Sequence, residues 1–434
     1  MMKTKLAISV LALLALVCLA LPGARPSKAA ATLLVDDDNA QCPTATYNTI
    51  QSAVNAASAG DTIQVCAGSY NENVNIPAAL TGLTVKGAQA GVPVSGRTFG
   101  GASESKVKGT NLTAGIAVFT VKASDVTIDG FSVTNVVASG AAFGITLTRG
   151  ADNALVVNNI IDTVTSPDAG SNGTAQAVYL ENSPTTGVDG PDDVVVSDNR
   201  INNIHSNRSA KGVLIGVNGG SDPSQNALIR HNSMTNIVSD TRGAYGVSVA
   251  NTLNVSGLTV RDNTFMTLTG GGWAHAVGLE GDTPGVTVEG NAFSGVTDLT
   301  PTVPADAICV WFESNPSFGT AEVHNNQFNV GTLVYGIAVH PALTSSFPMA
   351  LVDGECNWWG AANGPGPVGP GSGAQVSPGV DYSPWQSTPG GSCNGAVAAD
   401  KDDCKNGGWM TLFRANGTPF KNQGDCVQYV NTGK

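Results

Sequence analysis

The chain has 434 residues, of which 12% are charged and 53 are glycine, and its formal net charge is −12. This acidic balance argues against a nucleic-acid partner, because phosphate binding needs a basic surface. The length would allow two or three ordinary domains. Abundant Gly, Asn, Thr, Ser and Val favour short strands and tight turns over helices.

The first thirty residues have the pattern of a secretory signal. Lys3 and Lys5 precede an apolar run over residues 6–21, and small residues suited to cleavage occupy 27–31. A membrane anchor is the alternative, but the run is short and a cleavage-type site follows it. We therefore predict a signal peptide over residues 1–30, secretion to the extracellular space and no membrane insertion.

Residues 47–58 predict a short helix. Ile50 and Val54 share one apolar face, and either Asn48 or Thr49 can cap the start. The end of a stack of parallel strands exposes unpaired backbone groups and apolar side chains, so it needs a cover. We predict that this helix is that cover.

A short phrase returns seven times: a small residue, an apolar one, a variable one and an apolar one. It occupies residues 144–147, 177–180, 212–215, 246–249, 276–279, 307–310 and 336–339, with steps of 33, 35, 34, 30, 31 and 29 residues. Each unit has room for two short strands in which apolar side chains alternate with others, but it has no room for a long helix. The pattern predicts a solenoid of about ten β coils, because each coil can bury its apolar face only against the next.

An asparagine recurs once per unit, two residues before an apolar side chain. These positions are Asn159, Asn199, Asn232, Asn263, Asn291 and Asn326. Stacked Asn amides at a turn can hydrogen-bond along the stack, and Asn tolerates the left-handed backbone. We interpret this column as structural, with ligand binding as the alternative.

Removal of the signal, which contains Cys18, leaves seven of the eight cysteines. In an oxidising compartment most of them should pair. Proximity in sequence favours Cys42–Cys66, Cys356–Cys393 and Cys404–Cys426, with Cys309 left over, although spacing alone does not fix connectivity. A zinc site is the rival interpretation, but no Cys-x-x-Cys or close Cys/His spacing supports it.

Phrases at both ends of the repeat resemble the right-handed parallel β-helix proteins of the pectin-lyase-like superfamily, of the secreted bacterial type. They are Ile50-Gln-Ser-Ala-Val-Asn-Ala-Ala, Gly60-Asp-Thr-Ile and Gly68-Ser-Tyr-Asn-Glu-Asn-Val at the start, and Asn357-Trp-Trp-Gly and Tyr382-Ser-Pro-Trp at the end. The resemblance covers about residues 32–385. It implies an all-β domain, so we predict a β-helix over 31–385, a linker over 386–403 and a Cys-bounded tail over 404–434.

The resemblance implies an extracellular polysaccharide or cell-surface glycan as partner, but it carries over no catalytic residue. The superfamily includes polysaccharide lyases, polygalacturonases, esterases, epimerases and adhesins, and fold alone does not decide among them. The polygalacturonase pattern of Asn-Thr-Asp, Asp-Asp and Gly-His-Gly is absent from the sequence. Whether the protein is an enzyme is therefore left open.

A candidate site follows from the stacking. The residue before each repeated phrase should form an outward column with about 4.8 Å between neighbours. The predicted column is Phe143, Gln176, Lys211, Tyr245, His275, Asp306 and Tyr335.

A uronan lyase needs a base, for which Lys211, Tyr245 or His275 would serve. A hydrolase needs two carboxylates, and Asp306 has candidate partners in Glu280 and Glu313.

Substrate-binding candidates lie beside this column. Arg208 and Arg242 could hold a uronate carboxylate, and four aromatic residues could stack on sugar rings: Tyr179, Trp273, Trp311 and Tyr335. The alternative interpretation is that these residues form an ordinary solvent-exposed surface without a site.

We therefore predict a monomer that binds or acts on extracellular polysaccharide. A non-catalytic adhesin or cell-envelope structural protein and a uronan lyase are the alternatives. No cofactor is expected. Calcium stays an alternative at the adjacent acids Asp36, Asp37 and Asp38, without a motif to support it.

Overall fold

The computed structural model describes residues 29–110, 115–170, 173–181, 190–216, 224–250, 255–300, 307–313, 321–341, 352–415 and 418–434. Ala31–Lys434 forms one compact unit. Most of the predicted signal peptide, residues 1–28, lies outside the described residues. None of the helices in the described ranges is both long enough and apolar enough to cross a membrane.

Three parallel sheets run the length of this unit, and the chain passes through them in turn. Sheet I has 12 strands: Thr32–Val35, Thr62–Val65, Thr84–Lys86, Thr127–Asp129, Leu155–Val157, Val195–Ser197, Leu228–Arg230, Thr259–Arg261, Thr287–Glu289, Ala321–His324, Val352–Asp353 and Val380–Asp381. Sheet II has nine: Gly68–Asn71, Ser105–Lys108, Phe131–Val136, Ile160–Ser166, Arg200–Ser206, Ser233–Ser239, Thr264–Gly270, Ala292–Asp298 and Gln327–Phe328. Sheet III has 11: Val74–Ile76, Phe119–Val121, Ala142–Leu147, Thr174–Leu180, Ser209–Ile215, Gly243–Val249, Trp273–Leu279, Ala307–Phe312, Tyr335–Val339, Gln375–Val376 and Gly366–Pro367.

This arrangement confirms the predicted right-handed parallel β-helix. Strands of successive coils pair in parallel, and connections between parallel strands are almost always right-handed. Residues about thirty positions apart therefore become direct neighbours, as in the pairing of Tyr245 with His275.

The interior of the β-helix is filled by stacked side chains. The rings of Phe265 and Phe293 lie 5.1 Å apart, those of Phe293 and Phe328 lie 5.4 Å apart, and Trp359 follows at 5.0 Å from Phe328. All four side chains are buried. Aromatic pairs at these distances add packing energy to the burial of apolar area.

The asparagine column forms a hydrogen-bonded ladder. Oδ1 of Asn232 accepts from the backbone N–H of Asn199 at 3.0 Å and from its Nδ2 at 3.0 Å, and the pattern repeats from Asn159 onward. Asn357 adds a seventh rung by accepting from Asn326, which the sequence analysis did not predict. The residue before a ladder Asn has a positive φ, such as 52° at His231. The ladder therefore satisfies buried backbone groups at a tight turn.

The predicted cover is present at the start of the stack. The helix spans Ile50–Ala56, and the Thr49 side chain caps it by accepting from Ser52 N–H at 3.2 Å. The Glu72 carboxylate accepts from the N–H groups of Ile50 and Gln51 at 2.8 Å each. This carboxylate satisfies donors at the helix start that have no partner within the helix.

The opposite end is closed by a small three-stranded sheet of Trp385–Gln386, Cys393–Val397 and Leu412–Phe413. Trp385 is buried, and its ring lies 5.8 Å from that of Phe413. A short 3-10 helix at Gly408–Met410 and the helix Gln423–Thr432 complete the tail. The stretch predicted as a linker thus contains a strand, and the division into domains stays a prediction.

Three disulfides join the pairs favoured by proximity in sequence: Cys42–Cys66, Cys356–Cys393 and Cys404–Cys426. Cys309 is free and buried.

The three adjacent acids near the start accept hydrogen bonds from backbone N–H groups. Asp36 accepts from Cys42 N–H, Asp37 accepts from Ser69 N–H, and Asp38 accepts from Ala40 N–H. One carboxylate oxygen from each of the three lies within 4.8 Å of the others, so calcium binding here stays a prediction.

Candidate functional site

The predicted column on sheet III exists, with one correction. Gln176, Lys211, Tyr245 and His275 are register partners in successive coils. The next position is Ile308, followed by Tyr335. Asp306 lies outside the described residues, and the register gives its predicted place in the column to Ile308.

The column is a packed layer rather than an open row. Gln176, Tyr245 and His275 are each no more than 6% exposed. Lys211 is partly exposed, and its Nζ lies 5.1 Å from the centroid of the Tyr245 ring. Burial lowers the pKa of Lys211, although the charge of Glu280 opposes the shift. Lys211 thus packs against Tyr245.

Tyr245 links two residues of the following coil. Its hydroxyl donates a hydrogen bond to Oε1 of Glu280 and accepts one from Nε1 of Trp273. Burial raises the pKa of Tyr245 well above its usual value, and the negative charge of Glu280 raises it further. The phenol therefore stays protonated and keeps donating to the carboxylate.

A second column follows the ends of the sheet III strands. Glu280 N–H donates to Val249 O at 3.1 Å, Glu313 N–H donates to Leu279 O at 3.0 Å, and His340 N–H donates to Phe312 O at 2.8 Å. The same backbone contact in three successive coils stacks Glu280, Glu313 and His340. Their backbones are therefore separated by the strand spacing of about 4.8 Å.

These columns border a cleft of about 530 Å³ on the outer side of sheet III. Its lining residues are Trp273, His275, Glu280, Trp311, Glu313, His340 and Pro341. The His275 and Trp311 rings lie 5.6 Å apart, and those of Trp311 and His340 lie 5.8 Å apart. The cleft thus combines two indoles with two carboxylates and two imidazoles.

Two lining groups have shifted pKa values. Burial lowers the pKa of His275 from 6.5 to about 3, so the ring is neutral near pH 7, and its Nδ1 has no hydrogen-bond partner among the residues that the structure describes. Burial raises the pKa of Glu313, and the nearby charge of Glu280 raises it further. A hydrogen bond with Trp311 and the neighbouring His340 act in the opposite direction. Such shifts in a cleft are typical of functional sites.

Several predicted site residues lie away from the cleft lining. Tyr179 is 8% exposed and packs with Leu214 and Ala250 in a separate apolar cluster on sheet III. Tyr335 is partly exposed beside Ile308. Arg208 and Arg242 precede the strands Ser209–Ile215 and Gly243–Val249, and neither lines the cleft.

The sequence analysis named Glu280 and Glu313 only as partners for Asp306, and it missed His340. A usable signal was present, because Glu directly follows the strands that end at Leu279 and Phe312. In a stacked fold, residues at the same position of consecutive coils become neighbours.

No family model and no curated protein matches the sequence. Three solved structures are similar at low identity. The Dettilon tailspike protein has 12% identity and a TM-score of 0.36 over 73% of this chain and 56% of its own, so the chain spans just over half of its length. The pectin methylesterase from Aspergillus niger has 12% identity and a TM-score of 0.26 over 63% of this chain and 80% of its own. The Agl-KA catalytic domain has 11% identity and a TM-score of 0.20 over 77% of this chain and 64% of its own. Such distant likenesses assign no chemistry to this chain.

Proposed function

We propose that the protein is secreted and binds an extracellular polysaccharide in the cleft between Trp273 and Trp311. The observation that carries this proposal is the pair of indole side chains lining one open cleft. Large aromatic faces supply apolar contact area at little entropic cost, while polar neighbours fix a ligand's orientation. Trp273 is oriented by its hydrogen bond to Tyr245, so part of the surface is set before a sugar binds.

The charge of the cleft favours an uncharged sugar. Glu280 and Glu313 both line it, and none of its described lining residues is Lys or Arg. Two carboxylates that line the same cleft disfavour a negatively charged uronate group. We therefore infer that the ligand is a neutral polysaccharide.

The uronan lyase alternative has less support from this geometry. Of its three proposed bases, only His275 is a described lining residue, and the proposed carboxylate-binding residues Arg208 and Arg242 are not. The adhesin alternative shares this binding step. Three disulfides support an exported protein, since such bonds persist in oxidising compartments.

Affinity gel electrophoresis tests the proposal with a panel of soluble polysaccharides, some neutral and some rich in uronic acid. We expect retardation in a neutral polysaccharide, and a loss of affinity of about tenfold in Trp273→Ala and in Trp311→Ala, equivalent to about 1.4 kcal/mol. Trp358→Ala is the matched control, because Trp358 is partly exposed and outside the cleft. Retardation only in uronic-acid polymers, or retardation unchanged in both cleft variants, would contradict the proposal.

A further inference from the structure

We propose that Glu280 and Glu313 hydrolyse a glycosidic bond of the bound polysaccharide, with Glu313 as the acid and Glu280 as the base. This inference rests on the proposed function, because the substrate is the neutral polysaccharide held in the same cleft. The residues come from adjacent coils that each supply one indole and one carboxylate. Trp273 and Glu280 belong to one coil, and Trp311 and Glu313 belong to the next.

The two carboxyl groups have different surroundings. Glu280 accepts a hydrogen bond from Tyr245, which lies one coil earlier, so one of its carboxylate oxygens is held by the preceding coil. Glu313 interacts with Trp311 of its own strand and has His340 in the next coil. Pairs of titratable groups in unlike environments are typical of acid and base partners.

The remaining titratable groups around the pair are compatible with this division. Lys211 lies on the Glu280 side, where burial lowers its pKa and the charge of Glu280 raises it, and Tyr245 stays protonated. His275 is neutral near pH 7, so it adds no competing charge. Glu313 has a raised pKa, which increases the fraction that carries a proton near neutral pH.

The reaction is a direct displacement by water. The proton of Glu313 goes to the glycosidic oxygen as the bond between that oxygen and the anomeric carbon breaks. A water oxygen forms the new bond to the anomeric carbon, and Glu280 takes one of its protons. Proton exchange with solvent then restores both residues, and the net change is the addition of one water molecule. A single displacement by water inverts the anomeric configuration.

The test measures new reducing ends from a neutral polysaccharide that retards the wild-type protein. We expect Glu280→Gln and Glu313→Gln to lower kcat about 100-fold or more while the affinity for the polysaccharide is kept. Glu181→Gln is the matched control. Glu181 occupies the same position of the column three coils earlier, burial raises its pKa as well, and it does not line the cleft. Its variant should have wild-type activity.

Binding by the Gln variants also reports that they are folded, so a loss of turnover cannot be attributed to misfolding. Binding without new reducing ends, in the wild type across the neutral panel, would overturn this inference and leave the binding proposal intact. Failure to bind any neutral polysaccharide would instead remove the proposed function itself. Product with retained configuration, observed by NMR, would overturn the assignment of Glu280 as the base.

Discussion

The Tyr245 hydroxyl donates a hydrogen bond to Oε1 of Glu280, a carboxylate that follows the strand of the next coil. The same hydroxyl accepts from the indole of Trp273. One buried phenol therefore orients both an aromatic residue and a carboxylate of the cleft. It also joins two coils on the side of sheet III where side chains face outward.

Replacing Tyr245 by Phe removes both contacts at once. We expect the free energy of unfolding to fall by about 1–3 kcal/mol, because buried polar groups lose their partner. The folded state raises the pKa of Tyr245 above its usual value of 10. Wild-type stability should therefore decrease as the pH rises above 10, where only the unfolded state releases this proton.

Urea unfolding at pH 8 and pH 11 measures both effects. The alkaline loss of stability should be smaller in Tyr245→Phe than in the wild type. Tyr335→Phe is the control, because Tyr335 is partly exposed and does not line the cleft. Equal alkaline losses in Tyr245→Phe and the wild type would contradict this role.

His275 should make the fold sensitive to acid. Its pKa is about 3 in the folded state and about 6.5 as an ordinary value, so only the unfolded state binds this proton between those limits. The contribution of His275 to stability is therefore complete above pH 6.5 and decreases as the pH falls toward 3. Replacement by Phe should flatten the profile of unfolding free energy in that range.

Urea unfolding across pH 4–7 provides the measurement. His231→Asn is a suitable control, because His231 is half exposed and has a positive φ that Asn tolerates. An acid slope that is identical in His275→Phe and the wild type would refute a buried neutral imidazole.

The asparagine ladder should contribute strongly to stability. Asn263 accepts from the N–H and Nδ2 of Asn232 and donates to Ile229 O and to Oδ1 of Asn291. In Asn263→Ala these buried groups lose their partner, and each such loss costs about 1–3 kcal/mol. We expect unfolding at a clearly lower urea concentration. Asn55→Ala, at an exposed helix position, should change stability by less than about 0.5 kcal/mol.

A buried ion pair fixes the segment before the strand Ser105–Lys108. Arg97 donates to Glu104 at 2.7 and 3.0 Å, and the two side chains are 4% and 1% exposed. Glu104→Ala leaves the guanidinium buried and unpaired, for which we expect a loss of about 3–5 kcal/mol. Limited proteolysis should then cut within residues 88–104. Asp425→Ala, which breaks a more exposed Arg–Asp pair in the tail, should leave that segment resistant.

The fold could be predicted from sequence because each coil repeats the same alternation of apolar side chains. The position of Asp306 in the column could not be predicted from the sequence. Residues 307–310 and 309–312 both fit the repeated phrase, and a slip of two residues keeps every side chain on the same face. The pairing of Val277 with Val310 shows that Cys309 occupies the place of Ala276. Local pattern alone contains no information that separates the two registers.

The site was only partly predictable for a different reason. The sequence analysis correctly placed Lys211, Tyr245 and His275 in neighbouring coils, because stacking depends on the repeat. Their burial depends on what packs over the outer face of sheet III, and the repeat does not specify that. Glu280, Glu313 and His340 come together because the strands end at equivalent positions, which requires the true register.

The most direct test of the cleft is a crystal structure of the Glu313→Gln variant with an oligosaccharide of the polysaccharide that binds most tightly. The account predicts electron density for sugar rings against Trp273 and Trp311, with a glycosidic oxygen next to residue 313. Sugar bound instead to the outer face of sheet I or to the C-terminal tail, with the cleft holding only water, would contradict it.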